Sequence, residues 1–355
     1  MCLDHRRMFR REGKMKIFIT GATGFIGTHL IRRLKETQHK LHCLARMTSQ
    51  VGTLEEADAI VICGDVTDKQ SILNGMRGCE WVVNLANFYE FWTPDQRAYH
   101  DVNINGTRNV MEAVIATGVS KVVHVSTAVV YGNAEWPVTE ASKMGTRCFS
   151  EYARTKREGD LIAWELYEKE NLPLVVIYPG AVFGPDDPKA AGRYVKNVIR
   201  RKIPAQVLTR SLFPFVHVRD VAEAIVQGLE KEGNIGEKYL VVSENMTFGD
   251  INRTLSDISG VKLPKLALPD SLTMLGAYLL TGLANLVKKP PILDMSVDQM
   301  RLMKEGLQVD GSKATRELGL SYMPIRAALE EQVEQWGSAA HPGGALQFVE
   351  DRRTR

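Results

Sequence analysis

A doubly wound α/β fold, a parallel sheet covered by helices on both faces, is what this sequence predicts, and two observations carry the prediction. Short runs rich in β-branched residues alternate with segments of helical spacing, and those runs are apolar throughout. Strands of that kind are buried on both faces. The first run also passes through a glycine-rich stretch straight into the first helical segment, the order in which such folds hold a ligand at a strand end.

The elements follow in order. KIFIT (16–20) is the first strand and THLIRRLKET the first helix. KLHCLAR, AIVICGD, EWVVNLAN, SKVVHVST and LPLVVIYPG each read as a buried strand, with helices between several of them, notably over 95–117 and 151–169. These segments predict a dinucleotide-binding domain over 15–183. Beyond Gly184 the pattern is less regular, and a smaller, mostly helical substrate lobe is predicted over 184–214 and 244–337. FPFVHVRD and EKYLVV read as strands that bring 215–243 back to the main domain. Residues 1–14 are basic, lack the apolar core of a secretory signal and read as a disordered extension. Residues 338–355 read as a loose tail.

Composition excludes several classes. With 355 residues, 44% hydrophobic and 25% charged, the chain fits a soluble protein with a large core. A net charge of +3, with no Lys/Arg block interleaved with aromatics, argues against nucleic acid. Cys2, Cys43, Cys63, Cys79 and Cys148 form an odd set without Cys-x-x-Cys, which fits free, mostly core thiols in a reducing cytoplasm. The histidines include no His-x-x-x-His, so no metal site is expected. Residues 271–287 carry no charge, at the lower edge of what spans a bilayer. They read as a buried or lid helix over an apolar pocket, with membrane-surface contact as the alternative.

Gly21-Ala22-Thr23-Gly24-Phe25-Ile26-Gly27 lies between the first strand and first helix. Glycines there allow a tight turn and close approach to a pyrophosphate, and the helix N-terminus supplies partial positive charge. The second strand ends on Arg46 where an acid would meet the ribose of NAD. Arg46 suits the 2′-phosphate of NADP, so NADP is expected ahead of NAD; a solvated surface arginine is the other reading. Asp65 and Val66 end the third strand, where they would meet the adenine, although Asp also favours turns.

Thr127 follows the fifth strand and would face the cofactor, and Tyr152 and Lys156 are neighbours on one helix face. Spacing alone is weak evidence for a chemical pair. Beside the glycine loop and Thr127 it is strong. A nearby ammonium and the nicotinamide charge favour tyrosinate, which exchanges a proton with a carbinol as hydride moves. Thr127 would hold the substrate oxygen, and Lys156 would also reach the nicotinamide ribose.

These residues resemble the extended short-chain dehydrogenase/reductases, from about Met15 to Gly337. FITGATGFIG is similar to that family's cofactor loop, and HVSTAVVYG, YARTK, YPGAVFGP and FVHVRDVAEAI follow in the family's order. The branch it resembles most is the dihydroflavonol-reductase-like one, with its farnesol dehydrogenase-like and hopanoid-associated sugar-epimerase-like members. The resemblance implies that Thr127, Tyr152 and Lys156 are catalytic and that Asn103 supports them. It also implies that Leu85, Ala86 and Asn87 lie along the cofactor, and that Pro179 and Val182 line the nicotinamide pocket. A homodimer paired through helices 95–117 and 151–169 is a further implication. The sequence departs from the family at Thr127, where many members have Ser, at Tyr178, where Arg is common, and at Asn87, where Ala is usual.

Phe88, Tyr89, Phe91 and Trp92 crowd the loop after the fourth strand. Phe88, Phe91 and Trp92, with Asn87, Thr127 and Tyr152, are the expected substrate contacts. The aromatics point to an apolar or ring-shaped small molecule, although core packing accounts for such clusters as well. The expected activity is NADP- or NAD-linked oxidoreduction of a secondary or allylic alcohol on a prenol-, steroid- or flavonoid-like substrate. The alternatives are a sugar-nucleotide epimerase or dehydratase, for which Arg193, Arg200, Arg201 and Arg219 are available, and a non-catalytic cofactor-binding scaffold.

Overall fold

The computed structural model describes residues 14–338; the predicted N-terminal extension, apart from Lys14, and the C-terminal tail beyond Ser338 lie outside them. The chain runs β1 (Lys16–Thr20), α1 (Phe25–Lys35), β2 (Lys40–Ala45), α2 (Gly52–Glu56), β3 (Ile60–Cys63), α3 (Lys69–Met76) and β4 (Trp81–Asn84). A π-helical turn (Tyr99–Gly106) leads into α4 (Thr107–Thr117), then β5 (Lys121–Val125), α5 (Glu151–Glu170), β6 (Leu174–Pro179) and β7 (Ala181–Phe183). The remainder is α6 (Ala190–Ile199), β8 (Leu212–His217), α7 (Val218–Glu230), β9 (Lys238–Val241), β10 (Glu244–Thr247) and α8 (Phe248–Ser259). It closes with α9 (Asp270–Val287), α10 (Val297–Glu305), α11 (Ser312–Leu318) and α12 (Ile325–Ser338).

The main sheet has the order β3-β2-β1-β4-β5-β6-β9, parallel at every pairing. Strand order reverses between β1 and β4, and the crevice beyond the strand ends there is where such folds bind ligands. Along β1, Ile17 and Ile19 pack with Leu30, Ile31, Val221 and Ile225 of α1 and α7 on one face. Phe18 points the other way, into Ile72, Val110, Met111 and Ile162 of α3, α4 and α5. Successive side chains alternate across the sheet and meet a core on each side, which is why the runs are apolar without a break.

Local sequence sets several boundaries. The side chains of Asp68, Ser150 and Ser296 accept the backbone N–H of Gln70, Ala153 and Gln299 at the starts of α3, α5 and α10. Thr247 and Asp250 form a reciprocal box on α8, and each cap satisfies donors that a helix start leaves open.

Two expectations are corrected. β3 is not buried: it is the sheet edge, and Ile60 and Val61 are 54% and 40% exposed, as is Cys63 in part. An apolar run of four residues cannot reveal from its own sequence that one flank has no neighbour. FPFVHVRD forms β8, but β8 pairs with β7 and antiparallel with β10 in a separate three-stranded sheet. Of the returning segment, α7 and β9 rejoin the main sheet.

Asp220, on α7, is 7% exposed and accepts the Met323 N–H at 2.9 Å. Burial pushes its carboxyl up to about 6, against the opposing pull of that hydrogen bond and of Arg219. A carboxyl raised above its unfolded value favours folding below its ordinary range, and that contribution is lost as pH rises through about 6. Asp220→Asn, which keeps an oxygen acceptor, is therefore expected to gain roughly 2–3 kcal/mol at pH 8 relative to wild type and little at pH 4. Denaturant unfolding at the two pH values checks this.

Candidate active site

The β1–α1 loop packs closely against the chain segment that follows β4. Gly21 has φ +71°, and a Cβ on it would lie 2.7 Å from the Leu85 carbonyl carbon, so only glycine fits. α1 starts after Gly24 with no capping side chain and no acid in its first turn. Its opening N–H groups and partial positive charge are left for an anion.

A cavity of about 650 Å³ runs from this loop across the strand ends into the helical lobe. Gly21, Thr23, Gly24, Phe25, Ile26, Gly27, Arg46, Asp65, Val66, Leu85, Ala86, Asn87, Pro179 and Val182, the residues read from the sequence as cofactor contacts, all line it. Arg46 is exposed on the rim. Asp65 meets both readings: it lines the cavity, and its Oδ1 also accepts the Thr67 N–H at 2.9 Å in a turn. Phe88, Phe91, Thr127 and Tyr152 line the cavity too. A dinucleotide fits this cradle: anion-ready N–H groups at its centre, a cation at the adenosine end, and Pro179, Val182 and Tyr152 at the other.

Thr127 lies two residues past β5 in extended conformation, with its side chain beside the Tyr152 phenol, whose pKa it draws down slightly. Tyr152 stands on the first turn of α5, edge-on to Tyr89 at 4.9 Å and Phe91 at 6.1 Å between ring centroids. Burial among these rings pushes the phenol up, and the nearby Tyr89 and Asp160 add to the rise. Desolvation of the anion dominates, against the tyrosinate that the Tyr152–Lys156 spacing predicts. The phenol is neutral.

Three predicted residues stand off the cavity wall. Lys156 is 1% exposed, beneath Tyr152, and its ammonium donates to the Val125 carbonyl at 3.0 Å. Burial lowers its pKa, and Asp160 opposes the change. Asn103 lies in the π-helical turn, where it accepts the Phe88 N–H at 2.7 Å and donates to the Phe88 carbonyl and to Thr155 at 3.2 and 3.0 Å. It holds the aromatic loop and does not line the cavity. α5 crosses that turn closely at Gly159, where a Cβ would come within 2.4 Å of the Asn103 carbonyl oxygen. Trp92 turns out of the cavity into a neighbouring cleft and donates to Asn285 at 2.9 Å. Tyr89 takes the wall position that the sequence reading assigned to Trp92, since a loop without regular periodicity does not reveal which rings face inward.

Sequence reasoning also missed a buried polar chain under the site. The Ala86 N–H donates to Thr20 (3.2 Å), the Thr20 hydroxyl to Asn84 (2.6 Å), and Asn84 to His124 Nδ1 (3.1 Å). His124 Nε2 meets Asp160 at 3.1 Å, and Ser126 donates to the other Asp160 oxygen at 2.7 Å. The tautomer with its proton on Nε2 satisfies every partner in turn. Burial and Lys156 both lower the His124 pKa, which keeps the ring neutral. Two signals were present: a histidine in an otherwise apolar strand, and an Asp four residues after Lys156 on the same helix face. Tyr178 is turned away from the cavity and accepts from Trp164 at 3.2 Å, so the arginine it replaces has no counterpart on the cavity wall.

Residues 17–241 match the NAD dependent epimerase/dehydratase family, and the chain belongs to that family, within the extended short-chain dehydrogenase/reductases. It is 32% identical to sterol demethylase protein B of Methylococcus capsulatus over 90% of this chain and 97% of that one. It is 25% identical to the 3beta-hydroxysteroid-dehydrogenase/decarboxylase isoform 1 of Arabidopsis thaliana over 90% of this chain and 79% of that one. Its fold matches the UDP-glucuronic acid 4-epimerase of Bacillus cereus, solved with UDP-glucuronic acid and NAD, with a TM-score of 0.75 at 23% identity over 92% of this chain and 100% of that one. The protein is therefore an NAD-dependent type of enzyme with a Rossmann domain and a helical C-terminal portion.

Removing the carboxylate beneath Lys156 tests the polar chain. Asp160→Asn leaves a buried ammonium without its nearby anion and puts an amide donor against Ser126. A loss of roughly 2–4 kcal/mol in thermal or denaturant stability is expected, with weakened cofactor binding measured by fluorescence.

Proposed function

We propose that this enzyme transfers a hydride between NADP(H) and a secondary or allylic alcohol, or the matching carbonyl, of an apolar, ring- or prenol-like substrate, with Tyr152 as the acid/base. The observation that carries the reading is the lining of the cavity beyond the nicotinamide end. Phe88, Tyr89, Phe91, Phe183, Phe213, Phe215, Phe248, Met300 and Met303 contribute to it, an apolar wall suited to a substrate that gains by leaving water.

The charged alternative finds less support. Arg193, Arg200, Arg201 and Arg219 are absent from that wall. Arg193 is held by Asp294 at 2.7 Å and Arg219 by Glu331 at 3.0 Å. Lys189, the basic group toward the substrate end, is paired with Glu90 at 2.5 Å. A diphosphate would have to compete with those carboxylates. The sterol and steroid named for two relatives agree with an apolar substrate. Arg46, at the rim with no carboxylate partner among the described residues, supports NADP over NAD.

When bound, the nicotinamide supplies or accepts the hydride. The chain's own groups do the rest. Thr127 and Tyr152 present two hydroxyls to one substrate oxygen, and the neutral phenol gives its proton to a carbonyl as that oxygen becomes anionic. Lys156 holds the Val125 carbonyl and places positive charge under the phenol, and the Phe88–Phe91 rings exclude water. Asn103 fixes the Phe88 backbone that carries those rings.

Tyr152→Phe is expected to lower turnover by about 10²–10⁴-fold while cofactor binding, followed by fluorescence, is kept. Because burial raises the phenol, carbonyl reduction by the wild type is expected to hold level through neutral pH and to fall only in alkali, above the ordinary phenol range. Alcohol oxidation should rise with pH over the same interval. Rates in both directions, from pH 6 to 11, check the sign.

A further inference from the structure

Among the described residues, the outer face of α9 is a large apolar surface that the site leaves unused. Leu272, Leu275, Leu279, Leu283 and Leu286 fall on one stripe of the helix and are 53%, 56%, 67%, 51% and 80% exposed. The opposite stripe, Thr273, Ala277 and Ala284, is buried. A helix lying on a globular core should turn polar residues outward; this one is apolar on both sides, and contiguous exposed apolar patches mark interaction sites. Leu266 and Ile292, before and after the helix in sequence, are also 58% and 65% exposed. Exposed lysines flank it: Lys262 and Lys265 before, Lys288 and Lys289 after.

We propose that α9 docks this enzyme flat on an anionic phospholipid bilayer, its leucines at the acyl boundary and its flanking lysines among the headgroups. Leucines beside a cluster of cations are the two signals that peripheral anchoring requires together, since neither holds a protein on lipid alone. The helix lies on the membrane; no helix among the described residues is long and apolar enough to cross one. A second copy of the chain fits the face less well. Packing two such stripes would bring four lysines of each copy together, and Gly282 leaves a gap in the stripe where a helix partner needs a side chain.

The placement has a consequence for loading. Ala277 packs with Val297 and Met300, with Met295 and Met303 against them, and those same three methionines line the cavity. One methionine layer, easily rearranged, is thus shared by the inner side of the docking helix and the cavity. A substrate dissolved in the acyl region would reach the site without crossing water. This link rests on the apolar-substrate reading; the docking itself does not.

Flotation of the full-length protein with vesicles of phosphatidylcholine, with and without phosphatidylglycerol, tests the docking without any turnover. The bound fraction is expected to be at least about 10-fold higher on the anionic vesicles and to fall in high salt, since each lysine near the surface contributes about fivefold in partitioning. Lys288→Glu/Lys289→Glu should reduce binding by roughly 10-fold or more, and Leu279→Ser/Leu283→Ser/Leu286→Ser should abolish it, both with unchanged cofactor binding. Absence of wild-type binding to anionic vesicles would overturn the proposal. So would a triple-serine variant that still floats, or one that only converts a dimer to a monomer by sedimentation. Failure of the substrate reading would show separately, as no turnover of apolar alcohols with or without vesicles.

Discussion

Asp160 is wholly buried between α5 and β5, yet it faces Ser126, a histidine and, close by, an ammonium. A carboxylate in that position costs several kcal/mol unless every oxygen is satisfied. Ser126 and His124 supply those bonds, and Lys156 supplies the charge. The same contacts clamp the helix carrying Tyr152 onto the strand that leads to Thr127. The geometry of the two hydroxyls thus follows from how one buried charge is accommodated. The chain of donors running back through Asn84 and Thr20 to the Ala86 N–H extends that constraint to the loop beside the cofactor cradle.

The environment of Tyr152 then follows from packing. Asn103 fixes the Phe88 backbone, which places Tyr89 and Phe91 against the phenol. Their bulk removes water and raises the phenol's pKa, which on the proposed reading makes the resting group a proton donor. The rings that make the cavity apolar are the ones that set the proton's affinity. On the proposed reading, specificity and acid strength share one physical origin.

Much of this was legible in the sequence where a local pattern carries the chemistry. The apolar runs give the sheet, the Gly21–Gly27 loop gives the cradle, and Thr127 and Tyr152 fall at strand and helix ends that must meet. What depends on distant partners was not legible. β8 pairs with β7 and β10 because of how the lobe folds back, not because of its own residues. Trp92 and Tyr89 exchange places because a loop has no period to reveal which side faces in. The direction of the Lys156 ammonium, toward the Val125 carbonyl, depends on a strand 31 residues away in sequence.

The most direct test of hydride transfer to an apolar substrate uses NADPH deuterated at the nicotinamide C4. The enzyme is incubated with steroid, flavonoid and prenol-derived carbonyl compounds, and separately with sugar nucleotides, and products are analysed by mass spectrometry. The account predicts an alcohol carrying one deuterium at the former carbonyl carbon, with equimolar NADP formed. Inert apolar carbonyls, together with an isomerised or dehydrated sugar nucleotide and no net change in cofactor, would contradict it.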